Sequence, residues 1–148
     1  MSDTIEKDVF INAPQSRVWR ALTDHHQFGE WFGARLDEPF RAGGVIRGQI
    51  TICGFEHVKF DASIVEMTPE TRFVYRWHPY AVDPDIDYSR ETPTTVALEL
   101  STEGQGTRLR VRESGFNAIP AHRKAEALRA NTHGWEHQLG NIARYAEG

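Results

Sequence analysis

The C-terminal segment constrains the fold more than any other part of this 148-residue sequence. From about Ala121 onward, mostly apolar residues recur at alternating steps of four and three, at Leu128, Thr132, Trp135, Leu139, Ile142 and Ala146. On a helix these side chains fall within an arc of roughly 80°. The spacing predicts one long helix with a narrow inward face, which must pack against another element.

A glycine, Gly134, stands beside Trp135 inside this predicted helix. Glycine in a helix interior costs about 1 kcal/mol relative to alanine, so its position suggests a reason of packing or function. On the helix it lies about 100° from Trp135, at the flank of the inward face. We expect the missing side chain to let a neighbouring element come close, and we expect the indole to point inward.

The segments before this helix read as two N-terminal helical segments and a series of strands. A strand ending at Pro14 precedes a helix in PQSRVWRALTD and a short helix or turn in HHQFGEWFGA. Further strands are predicted in GGVIRGQITICG, EHVKFDASIVEM, RFVYRWH, TPTTVALELS and GTRLRVRESGF, the last two forming a hairpin. Residues 78–93 lack periodicity and are expected to form a functional or disordered loop.

This order predicts one α+β domain over residues 1–148, in which a curved antiparallel sheet wraps around the C-terminal helix. A curved sheet that grips one narrow helical face need not fill the space beneath it. A cavity is therefore expected between sheet and helix, with Trp135 aimed into it.

Composition excludes several classes of function. The chain carries 17 basic and 21 acidic residues, for a net charge of -4, so we expect no general attraction to nucleic acid or anionic lipid. No apolar run approaches the roughly 18 to 20 residues of a membrane span, so we predict a cytoplasmic protein without membrane insertion. The single cysteine, Cys53, excludes cysteine-rich metal and iron–sulfur sites.

One motif matches a metal-site pattern but fails on geometry. His133 to His137 read H-x-x-E-H, a zinc metallopeptidase pattern. On the predicted helix the two histidines lie about 140° and 180° from the centre of the inward face, so both should face water. We therefore predict no metal site and no cofactor.

Six pieces of the sequence, in order, resemble a known family: INAPQSRVWRALTD, EWFG, AGG, IVEMTPETRFVYRW, GTRLRVRESGF and GWEHQLGNIARY. Together they resemble the activator of Hsp90 ATPase homologue 1-like proteins, in the START-like or Bet v 1-like (SRPBCC) superfamily. The resemblance implies a helix-grip fold with a hydrophobic cavity between sheet and C-terminal helix. It also implies that Trp31, Trp77, Phe116 and Trp135 occupy recurrent aromatic positions.

Candidate ligand-contacting residues lie on the faces predicted to point inward, and each is either cavity wall or plain core. They are Trp31, Phe32, His57, Phe60, Tyr75, Trp77, Leu98, Glu113, Phe116, Trp135 and Leu139. The polar candidates are His57, Tyr75 and Glu113. Glu113 should point inward, because it follows Leu109 and Val111 at steps of two along its strand, unless it lies at a frayed strand end in water. No serine, cysteine or lysine has an identifiable base beside it, so no catalytic set is recognisable.

Three functions follow from these observations and from the resemblance. The first is binding of a small apolar or aromatic molecule in the cavity, by a protein that is not an enzyme. The second is a cyclase or hydrolyase in which His57, Tyr75 or Glu113 performs acid–base work. The third is protein interaction, either with a chaperone, as the family name suggests, or as a homodimer.

Overall fold

The computed structural model describes residues 3–148 and places seven strands and three helices in them. The strands are β1 (Thr4–Ile11), β2 (Ala34–Leu36), β3 (Val45–Ile50), β4 (Lys59–Thr68), β5 (Arg72–Trp77), β6 (Thr94–Glu103) and β7 (Gly106–Ser114). The helices are α1 (Gln15–Thr23), α2 (His25–Phe32) and α3 (Ala121–Glu147), and 3₁₀ turns lie at Tyr88–Arg90 and Phe116–Ala118. Over residues 3–148 no helix combines the length and the apolar character needed to cross a bilayer.

Local signals set the ends of the N-terminal helices. The Asp24 side chain accepts hydrogen bonds from the backbone N–H groups of His26 and Gln27, at 3.0 and 3.2 Å, and so caps the start of α2. Gly33 ends α2 with a φ of 92°, a conformation that favours glycine. The inward residues Val18 and Phe28 are completely buried.

All seven strands join one antiparallel sheet in the order β1-β7-β6-β5-β4-β3-β2. Six of them lie in segments predicted as strands. The exception is β2, whose three residues are too few to carry a periodic signal. A register shift between Ile64 and Glu66 interrupts the β4–β5 ladder, and such irregularities bend a strand.

The long C-terminal helix is confirmed, and its inward face is the predicted one. Trp135, Leu139, Ile142 and Ala146 are buried, while Leu128 and Thr132 are half-buried. The backbone of α3 lies closest to β1, α1 and α2 and stands further from the central strands β5 and β6. Large side chains bridge that gap, and the architecture is the predicted helix-grip α+β fold.

The packing prediction for Gly134 is wrong. The residue is exposed, and apart from its own helical neighbourhood no described atom lies within 4 Å of the position that a Cβ would take. No element approaches this flank of α3, so close packing does not explain the glycine.

One row of residues crosses the sheet and faces α3. Ile64, Tyr75, Val96, Glu113 and Ile5 lie directly opposite one another on β4, β5, β6, β7 and β1. All five are buried, and residues directly opposite each other point to the same face of a sheet. The sheet thus carries a carboxylate into the centre of its helix-covered face.

Candidate functional site

Aromatic side chains fill much of the space between the sheet and the helices. The Phe28 ring contacts Phe32 and Phe60, with centroids 5.0 and 5.6 Å apart. The contacts continue from Phe60 to Trp77 and from Trp77 to Trp135, each at 5.9 Å. These rings form a continuous apolar layer that reaches from α2 to α3, and the planes of the two indoles are inclined by 34°.

The Glu113 carboxylate lies at the α3 end of this layer and is 0% exposed. Oε1 accepts hydrogen bonds from Trp135 Nε1 at 2.8 Å and from Asn131 Nδ2 at 3.0 Å. Oε2 accepts hydrogen bonds from Trp77 Nε1 at 2.8 Å and from Thr94 Oγ1 at 2.5 Å. The strand-end alternative is therefore ruled out, because the carboxylate is enclosed by donors from other elements.

The four donors come from three different elements. Trp77 ends β5, Thr94 begins β6 directly opposite it, and Asn131 and Trp135 stand one turn apart on α3. A carboxylate has about four lone-pair positions, and these donors occupy them. None of the donors is charged, so a buried negative charge is held by neutral dipoles.

The Tyr75 hydroxyl lies in the same region and is buried without a hydrogen-bond partner in the described part of the chain. Its ring packs 5.2 Å from that of Trp77. Burial raises the pKa of Tyr75 well above its usual range, and the negative charge of Glu113 raises it further. The hydroxyl therefore stays protonated at neutral pH and is free to donate. We name this set the Glu113 cluster: Tyr75, Trp77, Thr94, Glu113, Asn131 and Trp135.

The loop of residues 78–93 lies beside the cluster and is held by Arg123 of α3. The buried guanidinium pairs with the Glu91 carboxylate, with Nη2 2.6 Å from Oε1. Arg123 Nη1 also donates to the carbonyl oxygens of Pro79 and Tyr80, at 3.0 and 3.3 Å. The guanidinium carbon lies 4.7 Å from the centre of the Tyr88 ring. This loop, for which no periodicity was found, is thus fixed at several points along its length.

The structure brings some of the predicted site residues together and separates others. Tyr75, Trp77, Glu113 and Trp135 meet in the Glu113 cluster. The remaining apolar candidates are also buried: Trp31, Phe32, Phe60, Leu98, Phe116 and Leu139. Of these, Phe32 and Phe60 contact the Trp77 ring, each with centroids 5.9 Å apart.

His57 does not reach this region. It is exposed in the turn between β3 and β4, where its Nε2 lies 2.9 Å from the Val82 carbonyl oxygen. Its side chain belongs to a loop contact, because the turn carries it past the end of β3 and out of the inward face.

Sequence reasoning missed Thr94 and Asn131. Asn131 precedes Trp135 by one helical turn, which was a usable signal for a second donor on the same face. Thr94 had no such signal, because its role depends on the pairing of β5 with β6.

A surface depression lies at the C-terminal end of α3. It is a surface cleft of about 410 Å³, lined in part by Arg17, Arg20, Gln27 and Tyr145. It shares no residue with the Glu113 cluster. We place the candidate site at the cluster, because buried polar groups converge there within an apolar surround and the Tyr75 hydroxyl among them has no partner in residues 3–148.

The H-x-x-E-H motif lies on the exposed side of α3. His133 and His137 face water, and Glu136 between them pairs with Lys7 at 3.0 Å. Within residues 3–148 no three acidic, histidine or cysteine side chains gather as metal ligands.

Comparison with known proteins adds a family to this geometry. A family model described as Activator of Hsp90 ATPase homolog 1-like protein matches residues 12–147. No curated protein sequence matches the chain significantly.

Solved structures share the fold over nearly the whole chain. DynU16, a protein in the dynemicin biosynthetic locus, is 26% identical over 99% of this chain, with a TM-score of 0.76; this chain spans only 48% of DynU16. MLL2253 from Mesorhizobium loti is 22% identical over 96% of this chain and 95% of its own, with a TM-score of 0.75. The Aha1 dimer from Colwellia psychrerythraea is 16% identical over 99% of this chain and 97% of its own, with a TM-score of 0.74.

Proposed function

The chain belongs to the activator of Hsp90 ATPase homolog 1-like family, and on this basis we propose that it binds a small hydrophobic or aromatic molecule between the sheet and α3. The family and the fold support a ligand-binding or cyclase-type role. The Glu113 cluster supports the binding form of that role, with the ligand lying against the indoles of Trp77 and Trp135.

The main support for this proposal is a buried polar group among aromatic rings that has no hydrogen-bond partner, the Tyr75 hydroxyl. Buried polar atoms in proteins are nearly always hydrogen-bonded, yet the Tyr75 hydroxyl has no partner among the described residues. Ligand pockets combine a mainly apolar wall with a few polar groups that orient the ligand. A ligand atom would supply the missing partner of this hydroxyl.

The approach to the site is proposed to run past Trp77. Trp77, Tyr80, Leu128 and Asn131 are each half-buried, in contrast to the fully enclosed residues beneath them. Loop 78–93 begins directly after Trp77, so it forms one side of this approach. Because the two indoles are in contact, a ligand must pass the edge of the Trp77 ring to enter.

An enzymatic role is the second candidate, since Tyr75 and Glu113 are both buried on the helix-covered face of the sheet. General acid–base catalysis needs a group with free capacity at the reacting atom. The oxygens of Glu113 already accept hydrogen bonds from four donors. This saturation favours a positioning role for Glu113 and therefore favours binding over catalysis.

Titration of the full chain with N-phenyl-1-naphthylamine, an uncharged fluorescent probe, tests the proposal. We expect saturable enhancement of probe fluorescence together with quenching of tryptophan emission. Thr132 is half-buried, follows Asn131 and lies one helical turn from Leu128, whose carbonyl oxygen accepts a hydrogen bond from its hydroxyl at 2.7 Å. Replacing Thr132 by tryptophan should therefore block the approach and weaken binding by about tenfold or more, which is about 1.4 kcal/mol.

Ala125→Trp is the matched control, because Ala125 is exposed on the same helix. Its affinity should equal that of the wild type, and circular dichroism should show both variants folded. Equal binding by Thr132→Trp and the wild type, or no binding to the wild type, would contradict the proposal. Light scattering on the same samples measures the oligomeric state, which tests the expected homodimer.

A further inference from the structure

We propose that the Glu113 cluster selects its ligand by charge, accepting uncharged aromatic molecules that carry a hydrogen-bond acceptor and rejecting carboxylates and other anions. This inference rests on the proposed binding function and specifies the chemical class of the ligand.

No cation neutralises the Glu113 carboxylate in the described part of the chain. Both indole N–H groups can only donate, so the oxygens they contact, Oε1 and Oε2, both serve as acceptors. No basic side chain of residues 3–148 bonds to or pairs with this carboxylate, and the buried Arg123 of the same helix is already paired with Glu91. The negative charge of the site is therefore not balanced by a cation.

A negatively charged ligand would be repelled by the Glu113 carboxylate. In a buried, poorly solvated site two like charges repel far more strongly than in water. An anionic group would also lose its hydration without meeting a cation or a free donor in the cluster other than the Tyr75 hydroxyl. Unpaired like charge is a common means of excluding a wrong partner.

The cluster can still donate one hydrogen bond to a ligand, from the Tyr75 hydroxyl. The donors to Glu113 occupy its lone pairs, so the carboxylate has no capacity left for a ligand hydroxyl or amine. The Tyr75 hydroxyl is free and protonated, and so it can donate. A ketone, quinone or ether oxygen of the ligand fits this donor.

The aromatic rings around Tyr75 favour a flat ligand. The rings next to Tyr75 are those of Phe60, Phe73 and Trp77, with centroids 6.5, 5.7 and 5.2 Å away. Aromatic rings stack or meet edge to face at such separations. A flat aromatic ligand would join this layer with favourable contacts.

The test compares two probes that share one ring system, 2-acetylnaphthalene and 2-naphthoate, by calorimetric titration of the full chain at pH 7.5. We expect the ketone to bind at least about tenfold more tightly than the carboxylate. In Glu113→Gln, which removes the charge and keeps the size, the preference should fall to less than about threefold.

A second variant tests the hydrogen bond without changing the charge. Tyr75→Phe should weaken the binding of 2-acetylnaphthalene by about fivefold to tenfold, because one hydrogen bond is lost. Its affinity for 2-ethylnaphthalene, which lacks the acceptor oxygen, should stay within about twofold of that of the wild type. This comparison, together with the preference of the wild type for 2-acetylnaphthalene over 2-naphthoate, tests the inference even if Glu113→Gln does not fold.

The outcomes separate this inference from the proposed function. The inference is overturned if 2-naphthoate binds as tightly as 2-acetylnaphthalene. It is also overturned if Tyr75→Phe weakens the binding of 2-acetylnaphthalene and 2-ethylnaphthalene equally. In both cases the proposed ligand binding is still supported. If neither naphthalene probe nor N-phenyl-1-naphthylamine binds the wild type, the proposed function itself fails.

Discussion

At the scale of single residues, Glu113 positions α3 against the sheet. Its carboxylate joins β5, β6 and α3 through neutral donors, so one side chain ties the terminal helix to the centre of the sheet. Buried polar networks of this kind stabilise a fold only when every member is satisfied. Removal of the acceptor should therefore cost far more than loss of an ordinary surface carboxylate.

The variant Glu113→Leu tests this role in stability. It leaves the indole N–H groups of Trp77 and Trp135 buried without an acceptor, each at about 1 to 3 kcal/mol. We expect the free energy of unfolding to fall by about 2 to 5 kcal/mol in urea denaturation. Glu103→Leu, which removes an exposed carboxylate paired with Arg108, should change it by less than about 1 kcal/mol. A similar loss of unfolding free energy in both variants would contradict this role of Glu113 in stability.

At the scale of elements, two helical glycines have opposite surroundings. A Cβ on Gly134 of α3 would meet nothing within 4 Å, whereas a Cβ on Gly29 of α2 would lie 2.3 Å from the Ala34 carbonyl oxygen. Close packing thus requires glycine in α2, between the helix and β2. In α3 the glycine costs helix stability and gains no contact.

Alanine substitutions at the two positions should therefore have opposite signs. We expect Gly134→Ala to stabilise the protein by about 0.5 to 1 kcal/mol, because alanine is the better helix former. Gly29→Ala should destabilise it by about 1 to 3 kcal/mol, because the backbone must shift to relieve the clash. Melting temperatures measured by calorimetry check both values. A stabilised Gly29→Ala variant, or a destabilised Gly134→Ala variant, would contradict this description of the packing.

A second prediction at the element scale concerns the clamp on loop 78–93. Replacing Arg123 by glutamine removes the ion pair with Glu91 and the cation beside Tyr88. Amide hydrogen exchange in residues 78–93 should then become about tenfold faster or more, while the strands stay protected. Arg144→Gln, at the exposed far end of α3, is the control and should leave the loop unchanged. Unchanged exchange in Arg123→Gln would show that other contacts hold the loop.

At the scale of the whole molecule, the site follows from the way the helix is held. The backbone of α3 is close to β1 and the N-terminal helices but stands off from β5 and β6. Long side chains span that gap, and one of them is a carboxylate. The contacts that join the helix to the central strands are therefore the same contacts that form the proposed ligand site, and variants in the cluster should affect stability and binding together.

Much of the fold could be predicted because periodicity reports which way a side chain points. The four-and-three spacing placed Trp135 and Leu139 on the buried face of α3, and strand parity placed Tyr75 and Glu113 on the inward face. Two predictions failed, each for a different reason. His57 lies in a turn, where parity does not hold, and Gly134 was given a packing partner that only coordinates could test.

The sequence by itself determined the kinds of elements, their order and the faces that lie inside, since each depends on residues only a few positions apart. The tertiary structure alone decided which polar atoms meet. The donors to Glu113 are separated from it by 18 to 36 positions along the chain, and Arg123 lies 32 positions from Glu91. Such pairs form when strand register and helix placement bring them within hydrogen-bonding distance, and no local pattern records that distance.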